Sequence, residues 1–137
     1  MANNEETREF IVHASKEDAF DLVTNIDSLA KLLLATEIRG HEGGELKPGD
    51  TWTYVHQLPD RKMENDVTFV EYEAPTKAVF KSKNAISSAT TTWTFEDIEG
   101  GTHVTHKQSE IESQMPAAQR DELMNSVFER FKDLLEG

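Results

Sequence analysis

The chain has 137 residues, enough for one domain with a single core and too few for two. Its 26 acidic residues against 14 basic ones leave a formal charge of −12, which excludes an electrostatic footprint for DNA or RNA and disfavours docking on an anionic membrane. With no cysteine it has no disulfide framework, no thiolate metal site and no cysteine nucleophile.

The start, Met1-Ala2-Asn3-Asn4-Glu5-Glu6, is acidic and polar, unlike a secretory signal. The longest apolar run, Leu32 to Ala35, is far short of a membrane span. The expectation is a cytoplasmic protein with one domain over 1–137, monomer or homodimer. The 2 Trp, 7 Phe and 2 Tyr, regularly spaced among apolar neighbours, argue for a fold over a disordered acidic tail.

Thr7 to Val12 reads as a short strand. Ser15-Lys16-Glu17-Asp18 then resembles a capping box, and Ala19, Phe20, Leu22 and Val23 follow at helical spacing, so a first helix runs from Lys16 to Asn25. Asp27 reads as the cap of a second short helix, with Leu29, Leu32 and Leu33 on one face and an end near Ala35. From there the period changes from about 3.6 to 2. Thr36 to His41 is a weak strand, and Gly43-Gly44 and Pro48-Gly49-Asp50 mark turns.

Four alternating strands come next, each with a face assigned inward. Thr51 to Leu58 points Trp52, Tyr54 and His56 inward, and Lys62 to Tyr72 points Met63, Asn65, Val67 and Phe69. Lys77 to Lys83 contributes Ala78 and Phe80; Ser88 to Ile98 contributes Ala89, Thr91, Trp93 and Phe95. Glu99-Gly100-Gly101 turns into a last strand, Thr102 to Ile111, with Val104, His106, Gln108 and Glu110 inward. A long helix from Pro116 to Glu136 closes the chain, striped by Leu123, Val127, Phe131 and Leu135 and widened by Phe128 and Leu134.

The order is strand, two short helices, six strands, one long helix. Together with three local tracts it resembles the START-like or SRPBCC superfamily, the helix-grip fold. The tracts are Ser15 to Asn25, Gly44 to Trp52, and Trp93-Thr94-Phe95-Glu96 with Gly100-Gly101-Thr102-His103-Val104-Thr105. The likeness spans about Thr7 to Leu135 and is nearest to the polyketide cyclase/dehydrase and lipid-transport-like group. It implies an α+β fold: a curved antiparallel sheet of about seven strands wrapped around the C-terminal helix, with a cavity between them. In such families the cavity holds a hydrophobic small molecule or a reacting substrate; another branch consists of chaperone-cofactor-like modules.

The candidate cavity wall then comprises the aromatic stripe Trp52, Tyr54, Phe69, Phe80, Trp93 and Phe95, faced by Val127 and Phe131 of the helix. The polar candidates are His56, Asn65, His106 and Gln108. Either histidine has the chemistry of a general acid or base, or of a hydrogen-bonded wall residue, and the residue pattern leaves both open. His103 and His106 lie three apart on a strand and point to opposite faces, so they do not share a metal ion. The five arginines, Arg8, Arg39, Arg61, Arg120 and Arg130, fall off the faces assigned inward, so no catalytic residue is transferred from cyclase relatives. The function expected is binding of a hydrophobic or aromatic small molecule in the cavity, without cofactor or metal. The alternatives are a cyclase or dehydratase in the same cavity, and a chaperone-cofactor-like interaction module.

Overall fold

The computed structural model describes residues 5–136. Its elements are β1 (Glu6–Val12), α1 (Lys16–Thr24), α2 (Ile26–Leu33), β2 (Glu37–Arg39), β3 (Thr51–Gln57), β4 (Lys62–Glu73), β5 (Lys77–Lys83), β6 (Ser87–Ile98), β7 (Gly101–Ser113) and α3 (Ala117–Glu136). The seven strands form one antiparallel sheet in the order β1-β7-β6-β5-β4-β3-β2. The predicted α+β grip is thus present, with α3 packed on one face of the sheet.

Local chemistry explains the boundaries. Ser15 caps α1, its hydroxyl accepting from the Asp18 amide at 3.0 Å as the capping box requires. The cap of α2 differs from the reading above. Asn25 holds it rather than Asp27, because Asn25 is extended and its Oδ1 accepts from the amides of Asp27 and Ser28. The Asp27 carboxylate instead accepts from the Gly44 amide at 3.0 Å and ties the loop before β3 to this helix. The weak strand predicted over Thr36 to His41 shrinks to three residues on the sheet edge. At the β6–β7 hairpin Gly100 takes a φ of +82°, and a Cβ on Gly101 would run into the Val12 carbonyl, so the end of β1 lies directly against this turn.

Residues directly opposite in an antiparallel pair share a face. Register therefore puts Trp52, Val67, Ser82 and Ala89 in one inward row, and Arg8, His106, Trp93 and Ala78 in another. Two irregularities change parity. One between Phe69 and Glu71 returns Tyr72 to the inner face, where its ring meets Phe20 and Phe69. The other falls between Ser88 and Thr90, opposite Glu110, whose φ is +53°. The extra residue swings Glu110 to the outer face, where its carboxylate accepts from the Thr90 hydroxyl at 2.8 Å, so the inward assignment of Glu110 is wrong.

α3 leaves β7 near Met115 and runs back along the sheet to the β1 end, where the His13 amide donates to Glu136 at 2.9 Å. Only Val127, Phe128 and Phe131 of this helix are buried, all in its C-terminal half. Leu123, which belongs to the predicted apolar stripe, is 48% exposed, and Leu134 is exposed too. The stripe continues through both halves, but full burial does not: the first half meets the rest through partly buried Met124 and through the ion pairs of Arg120 and Asp121 with β1.

Candidate functional site

The space between sheet and helix is furnished in two different ways. Toward the β6–β7 hairpin end it is aromatic. Trp93 stacks on Phe131 at 5.6 Å, Phe10 stacks on Phe128 at 4.5 Å, and Phe20 meets Phe95 edge to face. Phe69 stacks on Phe80, and Trp52 bridges Phe80 to Tyr54. All these residues are buried except Phe10, which is partly so. The Tyr54 hydroxyl donates to the Ile26 carbonyl at 2.8 Å, and burial raises its phenol well above the ordinary value, so it stays protonated.

Toward the opposite end the inner face becomes polar and half-buried. His56 Nε2 donates to the Leu33 carbonyl at 3.0 Å, which leaves Nδ1 to accept from Asn65 Nδ2 at 3.0 Å. Asn65 Oδ1 in turn accepts from Asn84 Nδ2 at 2.7 Å, and Asn84 Oδ1 accepts from the amides of Ile86 and Ser87. This chain joins the C-terminus of α2 to β3, β4 and the β5–β6 turn. It occupies both nitrogens of His56, which suits a wall residue better than a proton shuttle. Arg130 Nε donates to the neighbouring Leu32 carbonyl and fastens α3 to the same helix end.

Met63, Asn65, Ser82, Ala89, Thr91 and Gln108 lie on the inner face of this end, and all are half-buried. The first half of α3 contributes no fully buried residue; Met124 there is partly buried against the core.

At the border between the two parts stand Arg8 and His106, directly opposite each other on β1 and β7. His106 is 3% exposed, between Trp93 at 4.6 Å and Phe128 at 5.3 Å. Burial, helped by the positive charge of Arg8, drives its imidazole down to about 3, so it is neutral at physiological pH. Its Nδ1 is buried without a hydrogen-bond partner among the described residues, and so is Nη1 of Arg8. The rest of the Arg8 guanidinium is engaged: Nη2 donates to Glu6 at 2.8 Å and to Asp121, and Nε also donates to Asp121. Arg120 donates to Glu6 as well and to the Met115 carbonyl. The Arg120 hydrogen bond, aided by Arg8 and opposed by burial, holds the Glu6 carboxyl down at about 2. These four charged side chains clasp β1 to the first turns of α3.

The sequence-derived candidates thus separate. Trp52, Tyr54, Phe69, Phe80, Trp93, Phe95, Val127 and Phe131 join the aromatic cluster, apart from the Trp52 Nε1, which also has no partner. His56 and Asn65 meet in one hydrogen-bond chain, while His106 and Gln108 stand on β7 facing β1. His103 pairs with Glu9 at 3.1 Å, on the face opposite His106. Arg8 corrects the reading of the arginines: it points inward. Phe10 and Val12 alternate with it along β1, so that strand's own period of two carried the signal. Asn84 lies in the turn between β5 and β6, where alternation carries no signal. A shallow open groove of about 430 Å³ lies on the outer face, lined by Asp66, Thr68, Lys81, Lys83, Thr90 and Glu110 among others; it also touches Ser82 and Ala89 but none of the aromatic or histidine candidates.

A model of the family described as Activator of Hsp90 ATPase homolog 1-like protein matches residues 13–136. No curated protein matches the sequence. Solved structures resemble it closely in shape. Protein CV1439 from Chromobacterium violaceum superposes with a TM-score of 0.85 at 14% identity, covering 98% of each chain. An uncharacterised protein from Rhizobium leguminosarum gives 0.82 at 15% identity over 98% of this chain and 95% of its own. Mll3558 from Rhizobium loti gives 0.82 at 16% identity over 98% of both. At such identities the likeness speaks for the fold alone.

Proposed function

The chain belongs to the activator of Hsp90 ATPase homolog 1-like family, within the START-like helix-grip superfamily, and from that membership we propose that it binds a hydrophobic or aromatic small molecule between the sheet and α3. One observation carries the reading: Met63, Asn65, Ser82, Ala89, Thr91 and Gln108 on the inner face are half-buried, whereas the rest of that face is sealed by rings. Binding pockets combine apolar walls with a few placed polar groups, and this end offers Met63, Ala89 and Thr91 beside Asn65 and Gln108. The engaged nitrogens of His56 support binding over turnover.

The test is equilibrium dialysis of naphthalene against the full chain, with native mass spectrometry of the freshly purified protein to reveal any molecule carried through. The Ala89→Trp variant fills the half-buried end and is expected to weaken naphthalene binding by about tenfold or more while the thermal midpoint moves little. Unchanged binding in that variant, or none in the wild type, would count against the reading. A second reading rests on the family's description: a module that touches a chaperone ATPase through its surface. It calls for chaperone binding that Ala89→Trp leaves intact.

A further inference from the structure

Two polar atoms on facing residues, Nη1 of Arg8 and Nδ1 of His106, are buried on the inner face with no partner among the described residues. Native interiors rarely leave such groups unpaired, and a ligand atom is one way of pairing them. They stand where the aromatic cluster gives way to the half-buried end, so a molecule lying along Ala89 and Thr91 would bring its far end to them. Trp93 and Phe128 flank His106 edge to face and fix the ring's position, their own faces being stacked on Phe131 and Phe10.

Charge decides the chemistry of that end. Arg8 and Arg120 are already matched by Glu6 and Asp121, so the cluster has no net positive charge to spend on an anion. His106 adds none, being neutral. The whole chain carries −12, which disfavours a further negative group. What is left are directional hydrogen bonds. The guanidinium only donates, and a neutral imidazole donates or accepts at Nδ1 according to its tautomer. A carbonyl oxygen, alone or beside a hydroxyl, satisfies both.

We propose that Arg8 and His106 form the head-group site for an uncharged aromatic ketone. The proposal rests on small-molecule binding between sheet and helix and names the class of molecule bound.

Three probes of one shape test it by equilibrium dialysis: naphthalene, 2-acetylnaphthalene and 2-naphthoate. The ketone is expected to bind roughly three- to tenfold tighter than naphthalene for each hydrogen bond gained, and 2-naphthoate more weakly than the ketone. In His106→Phe the ratio of ketone to naphthalene affinity should fall at least threefold. Arg8→Met should abolish the advantage; if the loss of its ion pairs unfolds the chain, His106→Phe decides alone. Equal affinity for ketone and naphthalene, a preference for 2-naphthoate, or an advantage that survives in His106→Phe would overturn the head-group site and leave small-molecule binding standing. No binding of any probe would overturn both.

Discussion

The two halves of the interior are built on opposite principles. The aromatic half is held by area and shape, with Phe131 wholly buried and in contact with Trp93 and Phe10. The polar half is held by direction: hydrogen bonds through His56, Asn65 and Asn84, and an ionic clasp of Glu6 and Arg8 with Arg120 and Asp121. A domain needs a half that does not yield if it is to present one that does. Stability resides where rings exclude water, and chemistry is available where polar groups line the face.

Substitutions that act on one half sharpen this contrast. Phe131→Ala should have the largest effect, about 3–5 kcal/mol in urea denaturation, because the cavity opens among rings that cannot collapse into it. A loss below about 1 kcal/mol would mean that the aromatic half does not carry the fold.

Acid should act next, at the border. In the fold His106 takes up a proton only near pH 3, whereas an unfolded imidazole does so near 6.5. Below 6.5 the unfolded chain therefore binds more protons, and stability falls as pH drops from 6.5 toward 3, with a limiting slope of about 1.4 kcal/mol per pH unit. Arg8, the charged group facing the ring, adds to the same direction. Glu6, with its lowered carboxyl, contributes its own loss as pH falls from 4.5 toward 2. His106→Phe should flatten the decline of the thermal midpoint between pH 6.5 and 4.5; an unchanged decline would place its cause elsewhere.

Within the polar half, Asn65→Leu strands His56 Nδ1 and Asn84 Nδ2 together, and a loss of about 1–3 kcal/mol is expected from chemical denaturation. No loss would show that the chain of amides is ornamental to stability. The smallest effect belongs to Leu123→Ala, within about 0.5 kcal/mol, as for other exposed positions. A cost above about 2 kcal/mol there would mean that the first half of α3 is seated as firmly as the second, and the contrast between the halves would fail.

The sequence made the sheet, the helices and most inward faces legible because a strand's period of two leaves a mark wherever one side is apolar. Trp52 with Tyr54, and Trp93 with Phe95, show it plainly. What stayed hidden has local causes. Glu110 was misassigned because an extra residue inverts the alternation without altering composition. Arg8 shares the parity of Phe10 and Val12, but a single inward charge on a short strand reads as surface. Leu123 fits its stripe, yet whether a helix face finds a sheet beneath it is settled by the path of the whole chain. The partnership of His56 with Asn65 needed the register between β3 and β4, which no single strand encodes.

The strand order has a consequence for how the protein comes to be. Every strand from β3 to β7 adds to its predecessor, so that row can zip up step by step as the chain leaves the ribosome. β1 is made first and has to wait: Glu6 meets Gln108 and Val12 meets Thr102, partners roughly a hundred residues apart, the kind of separation that slows folding. Until β7 and α3 emerge, Phe10 lacks its ring partners Phe128 and Phe131 and Arg8 lacks Asp121. The first strand of the sheet to be synthesised is thus the last strand to find its place, and a nascent chain arrested before Ser113 should keep β1 open to protease while later strands are already paired.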